Sequence, residues 1–475
     1  MTTASRPSNE IGNGMAGAAK HVERAASSRR LKSYAAYKDS GVEWLGKIPV
    51  HWEIRRLRST VTSCQNGVWG DEPGGVNDVV CVRVADFNRV TFRVEIEEPT
   101  MRAIDTAVVV ARGLRPGDLL LEKSGGGENQ PVGAVVLFDH EVPAVCSNFV
   151  ARVSVASGHD PRYQTYLHAT LYAQRINTRH IKQSTGIQNL DSSSYLSESV
   201  GLPTKAEQRT IANFLDRETA RIDELVTKKE QLIELLQEQR TAVIVRVITK
   251  GLDPNVLMKD SDVEWLREIP AHWDIRPFTK YVIEKADYRG KTPEKVASGI
   301  FLVTARNVRM GWIDYECSQE FVAENEYNEI MRRGLPKRGD VLFTTEAPLG
   351  NVALVDREDI ALAQRIIRFR MNAEFFDSRF TLFAMMSNYF QSRLVSLSTG
   401  STAEGLKASK LPMLWLIAPP VTEQHAIAAF LDRETARIDA LVSKIRDAIE
   451  RLKELRAALI SAAVTGKIDV RKEVA

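Results

Sequence analysis

At 475 residues the chain is too long for one compact domain and long enough to bury several cores. Its 44% hydrophobic and 26% charged side chains are ordinary for a globular protein, and a net charge of +3 does not mark a general polyanion binder. The four cysteines (Cys64, Cys81, Cys146, Cys317) lack C-x-x-C spacing, which argues against a zinc site or a disulfide framework and fits a reduced, cytoplasmic setting. No run of about 18 apolar residues offers a membrane span, and the N-terminus lacks a secretory apolar core.

In chain order, residues 1–33 are rich in Ala, Ser, Gly and Arg and read as a mobile basic tail. A first mixed domain follows over 34–205. It opens on KDSGVEWLGKIPVHWEIRRL (38–57) and continues as short apolar runs between turn residues, VVCVRV (79–84), AVVVA (107–111), DLLLEK (118–123) and VGAVVLF (132–138) among them, which predict strands. Residues 206–250 contain no Pro or Gly and predict a long helix that Gly251 stops. The pattern then repeats. KDSDVEWLREIPAHWDIRPF (259–278) matches the first opening segment at thirteen of twenty positions, within a second mixed domain over 251–421. Inside it, KRGDVLFT (337–344) matches RPGDLLLE (115–122), and Ser-Thr-Gly at 398–400 repeats that at 184–186. A second helix is predicted over 422–469, with a tail at 470–475. Its opening, EQHAIAAFLDRETARIDALV (423–442), matches EQRTIANFLDRETARIDELV (207–226) at sixteen of twenty positions.

The chain is thus a tandem duplication of a unit of about 220 residues, with like joints and diverged interiors. Each helix carries a heptad seam. The first has Ile222, Leu225, Leu232, Leu236 and Val243, with Lys229 and Gln239 at polar seam positions; the second has Ile438, Leu441, Ile445, Ala448, Leu452, Leu455 and Leu459. About 45 helical residues would reach roughly 65 Å. Two copies in one register, with a whole domain between them, predict an antiparallel coiled coil. The fold class is α+β: two mixed α/β domains and two long paired helices.

Motifs for catalysis are missing. Gly290-Lys291-Thr292 has Lys285 where a phosphate-binding loop needs its first glycine, and Gly125-Gly126-Gly127 lacks the spacing of a nucleotide fingerprint. Asp118, Glu122 and Lys123 do not alternate as a nuclease strand would. The histidines form no ligand pair; His51 and His272, each beside a Trp, read as packing. No segment suits a flipped adenine. Charge distribution says more. Residues 161–190 carry no acid but hold Arg162, Arg175, Arg179 and Lys182, interleaved with Tyr163, Tyr166, His168, Tyr172 and His180. Residues 378–403 are also acid-free and include Arg379 and Arg393. Both stretches end at the Ser-Thr-Gly element, which suits phosphate contact. A solvated face is the plain alternative, and a coiled-coil adaptor that never reads DNA is the rival function.

The segments GVEWLGKIPVHWEIRRL, STGIQNL, LPTKAEQRTIANFLDRETARID and ITKGLDPNV closely resemble the specificity subunit of Type I restriction–modification systems, over about residues 34–470. The resemblance implies two target recognition domains, each reading one half of a split double-stranded DNA site, joined by helices that set the gap. It implies docking on two methyltransferase subunits, and association with two motor–nuclease subunits, in a prokaryotic cytoplasm. AdoMet, ATP and Mg²⁺ would belong to those partners, with no cofactor, metal or catalytic residue on this chain. Base reading and phosphate contact would then fall, in the first domain, on Arg83, Asn88, Arg89, Lys123, Ser124, Gln130, Arg179, Lys182, Gln183, Ser184, Thr185, Gly186 and Gln188. In the second they would fall on Arg306, Asn307, Arg309, Thr344, Thr345, Gln364, Arg365, Arg393, Ser398, Thr399, Gly400 and Ser401. Ser401-Thr402-Ala403 departs from the pattern, standing where the first domain has Ile187-Gln188-Asn189.

Overall fold

The computed structural model describes residues 32–75, 78–184, 186–263, 266–288, 293–398 and 405–473. The chain forms two compact units, residues 1–229 with 447–475, and residues 230–446. Of the tail expected over 1–33, residues 1–31 lie outside the described residues, and Lys32 bridges to Asp469.

Each unit is built on a central sheet whose four main strands are antiparallel. In the first, Val61–Asn66, Val150–Val155, Leu119–Glu122 and Val135–Leu137 lie side by side in that order, followed by two short strands. In the second, Val282–Asp287, Ile366–Met371, Val341–Thr345 and Leu349–Leu354 take the same order. The apolar runs are continuous because both faces of these strands are covered. Leu119 and Leu121 face one core while Leu120 faces another; Val341 and Phe343 are divided from Leu342 in the same way. One face meets a three-stranded sheet, Ala144–Cys146 beside Asp78–Val82 beside Met101–Ala103, or Ile360–Leu362 with Ile300–Val303 and Phe321–Val322. The other meets the long helices. The repeated Asp118 and Asp340 hold turns by accepting from the backbone of Arg115 and Lys337. Asp340 also pairs at 2.7 Å with the fully buried Arg368.

The repeated blocks are joints. Glu207 accepts from the buried Trp52 indole at 3.2 Å and lies 2.9 Å from the His51 ring; Glu423 does the same for Trp273, at 3.0 Å, and His272, at 2.9 Å. Gln208 and Gln424 accept from the backbone N–H of Asp160 and Asp377, which cap the next helices. Gly466, with φ of 70°, ends the second helix against Trp52, and Gly251, with φ of 74°, ends the first against Trp273. A side chain at either position would be strained and would crowd the indole.

The helices span Lys205–Lys250 and Val421–Val464, so the second stops short of the predicted 469. Beyond it, Ile468 and Val470 are buried in the first core. The unit boundary falls inside each helix. In the first unit Arg456 pairs with Asp223 at 2.9 Å; in the second Arg240 pairs with Asp439 at 3.4 Å. Each partner is the other's copy, 216 residues on, and the pairing is antiparallel.

The seam differs from the predicted one at alternate positions. Leu225, Leu232 and Leu441 are exposed, and Gln239 is too. Val226, Ile233 and Arg240 are the half-buried residues of the first helix at those turns, and Val442 is buried in the second. Ile222 and Ile438 are buried, and Leu236, Val243, Ile445, Leu452, Leu455 and Leu459 are half-buried. The observed stripe steps 4–3–4–3 from Ile222 rather than 3–4–3–4. Apolar residues stand at both 225 and 226, and at 232 and 233, so spacing alone admits either stripe.

Candidate nucleic-acid interface

Three strands of the first domain share an edge, where Asn66, Glu122 and Val150 lie close in register. The chain just beyond them forms a corner. Lys123 and Ser124 donate their backbone N–H groups to the Phe149 carbonyl at 2.8 and 3.3 Å, and Leu190 donates to Lys123 O at 2.8 Å. The last bond seats the hairpin Ile181–Ser184 and Ile187–Leu190 against Ser124–Gly125. Lys123 Nζ donates to Asn66 Oδ1 at 2.7 Å, and Ser124 Oγ donates to Asn189 Oδ1 at 2.6 Å. Asn66, Gln130, Asn148, Phe149, Gln183, Gly186, Ile187 and Asn189 are exposed. Amides beside an ammonium and exposed apolar groups suit base edges: amides match adenine, and apolar groups match the thymine methyl.

The second domain builds the same corner with other side chains. Thr345 N–H donates to Arg365 O at 2.9 Å, and Leu406 N–H donates to Thr345 O at 3.0 Å. Thr345, Glu346, Gln364, Arg365 and Leu406 therefore occupy the places of Lys123, Ser124, Asn148, Phe149 and Leu190. Arg365 is exposed and lies 3.1 Å from the half-buried Glu346. Gln364 lines an open cavity of about 410 Å³ together with Tyr288 and Arg332. Asn148 and Phe149 were absent from the sequence candidates although Gln364 and Arg365 were among them; the 216-residue offset pairs these positions and was the available signal.

Several candidates are occupied by folding instead. Asn307 is fully buried: its amide donates to Asp314 O at 2.8 Å and Ser318 O at 2.9 Å, and its oxygen accepts from Thr304. Thr344 is fully buried against Asn351, and Thr345 is buried with its hydroxyl on Arg365 O. Gln188 is buried and accepts from Val132 N–H. Asn88 forms a turn by accepting from Val90 and Thr91 N–H. Arg89 pairs with the buried Glu122 at 2.8 Å; burial raises the Glu122 pKa and Arg89 opposes that rise. Each of these spends hydrogen-bonding groups on the fold. Arg83 pairs with Asp86, Arg309 with Asp314 and Lys182 with Asp191, all at the surface. Arg179, Gln183 and Arg306 are exposed. Arg393 lines a groove with Tyr389 and Trp415, and the Ser398 hydroxyl closes a turn on Val395 O. Thr185, Thr399, Gly400 and Ser401 lie outside the described residues, as do Gly290-Lys291-Thr292; of Ser184 only the backbone is described.

The acid-free stretches also change meaning. Residues 161–173 form a helix that buries Tyr163, Tyr166 and His168 in the core. Arg162 finds its acid on the long helix, Asp216 at 2.8 Å, and Arg379 finds Asp432 at 2.6 Å. The missing carboxylates are supplied from elsewhere in the chain, so these arginines are joint residues. Among the described residues no three His, Cys, Asp or Glu side chains group to hold a metal, and no helix is long and apolar enough to cross a membrane. Burial pushes the Cys81 thiol up to about 11 and that of Cys146 up to about 12.

A family model, the Type I restriction modification DNA specificity domain, matches residues 116–235 and again 311–451. The chain belongs to this family. Its two matched segments are DNA specificity domains, and they include the residues of the corners just described apart from Asn66. The Type I restriction enzyme MjaVIII specificity subunit of Methanocaldococcus jannaschii is 26% identical over 312 residues, covering 64% of this chain and 70% of its own. The EcoKI specificity subunit of Escherichia coli is 20% identical over 447 residues, covering 89% and 90%. Among solved structures, the HsdS subunit from Thermoanaerobacter tengcongensis matches with a TM-score of 0.51 at 15% identity, over 89% of this chain and 98% of that one. A chain from a structure of complex assembly and conformational transition in the type I R-M system matches with a TM-score of 0.65 at 14% identity, over 88% and 98%. The fold is that of these specificity subunits.

Proposed function

We propose that this chain is the non-catalytic reading subunit of a Type I restriction–modification complex, with each domain reading one half of a split double-stranded DNA site. The observation that carries this reading is the corner. Two of its backbone hydrogen bonds recur in both domains, whereas its side chains differ, half-buried Lys123 and Ser124 with exposed Asn148, Phe149 and Asn189 against half-buried Glu346 and Gln364 with exposed Arg365. The joints meanwhile are nearly identical. Two like frames with unlike readers suit two different half-targets.

The paired helices set the gap between half-sites and dock two methyltransferase subunits. Exposed leucines at 225, 232, 235 and 441 support that docking role. Motor–nuclease subunits complete the restriction complex. AdoMet, ATP and Mg²⁺ act in those partners, and this chain contributes recognition. The test is to express the chain with its methyltransferase partner and to map methylated adenines across host DNA by single-molecule sequencing. The expected result is a split motif with an invariant gap that vanishes when this chain is omitted. An intact complex that methylates no such motif would overturn the reading.

A further inference from the structure

Resting on that reading, we infer that Arg365 is a base-reading residue of the second domain and takes a guanine, with Glu346 orienting its guanidinium. Arg365 has a left-handed backbone, φ of 76°, which a non-glycine residue seldom adopts. Its carbonyl is held there by two donors from the buried Thr345, the N–H at 2.9 Å and the hydroxyl at 3.3 Å. Thr345 is thus a positioning residue. The constrained backbone sends out a side chain that stays 46% exposed, meeting the 44% exposed Glu346 at 3.1 Å.

A surface pair of this kind contributes little to stability, so the pair itself gives no stability reason for the way the side chain is presented. The first domain places Phe149 at the equivalent position, where its carbonyl accepts from Lys123 and Ser124 and the residue is 48% exposed, but the left-handed backbone is not shared. The position keeps the carbonyl contact while presenting an apolar ring in one copy and a cation in the other, and the left-handed turn belongs to Arg365. Guanidinium groups match the O6 and N7 acceptors of guanine in two parallel bonds, and no other base edge in the major groove offers that pair. A carboxylate beside the guanidinium fixes the plane of the fork before DNA arrives.

The experiment uses the full chain in complex with its methyltransferase partner, comparing wild type with Arg365→Ala, Arg365→Lys and Asn189→Ala by methylation mapping. The wild-type motif is expected to contain a guanine, on either strand, in one half-site. Arg365→Ala makes that position degenerate, lowering discrimination by roughly ten- to a hundredfold, and leaves the other half unchanged. Arg365→Lys keeps a weakened guanine preference. Asn189→Ala alters the opposite half. A split wild-type motif that persists unchanged in Arg365→Ala overturns this inference alone and returns the pair to an ordinary surface contact. Loss of the same half in Arg365→Ala and Asn189→Ala also overturns it. A wild-type complex with no split motif removes the underlying reading, and the inference with it.

Discussion

Buried charge in the second domain is concentrated where Arg368 and Arg370 share Asp340 and Glu284. Removing Asp340 would leave the buried Arg368 guanidinium to the partly exposed Glu284, and breaking a buried pair costs about 3–5 kcal/mol. Asp340→Ala is therefore expected to lower stability in denaturant titrations far more than Glu329→Ala, which removes a carboxylate from a surface pair with Arg332. A second residue links stability to pH. His168 is buried with Nδ1 2.8 Å from the Tyr195 hydroxyl, and burial pushes its pKa down to about 4. An unfolded chain takes up that proton near pH 6.5, the folded chain not until about 4. Across that window the unfolded state binds more protons, so stability falls as pH is lowered. The contribution lost amounts to about 3 kcal/mol, and His168→Gln should flatten this part of the pH profile in chemical denaturation. At this scale the sequence is least legible. Arg89 and Arg162 look free because their acids, Glu122 and Asp216, stand 33 and 54 positions away.

Elements were more legible, because their signals are local. Strands followed from apolar runs between turns, helices from uninterrupted spacing, and joints from repetition; the exception is AVVVA (107–111), which forms the helix Thr106–Arg112 because Asp105 caps it by accepting from Ala107 N–H. Helix register did not follow. Leu225 competes with Val226 and Leu441 with Val442, and the choice depends on which side chain meets the opposite helix. The structure buries Ile438 and leaves Leu441 41% exposed. Ile438→Ala should cost about 2–5 kcal/mol. Leu441→Ala should cost less than about 1 kcal/mol. Thermal unfolding of the two variants separates the stripes, and the reverse order would restore the 3–4–3–4 seam. The corner was partly legible for a similar reason: the apolar run over 118–123 placed Lys123 and Ser124 at a strand end, but Thr344 and Asn307 could be told from readers only by burial.

For the whole molecule, the two helices act as a ruler under the proposed function. Four residues inserted into both helices at matching points add one turn, about 5.4 Å. DNA rises about 3.4 Å per base pair. The gap in the methylated motif should therefore lengthen by about one to two base pairs while both half-sites keep their sequence. An unchanged gap in an active complex would show that the ruler lies elsewhere.

The clamps at the joints have a consequence at the level of genes. Trp52 and Trp273 meet the same carboxylate, the same glutamine follows it, and the same aspartate receives an arginine on the next helix. Whatever reader lies between two such joints finds the same anchors. A lineage can therefore acquire a new half-target by exchanging the stretch between them. The blocks that hold the protein together are also the stretches of matching sequence along which two such genes would cross over.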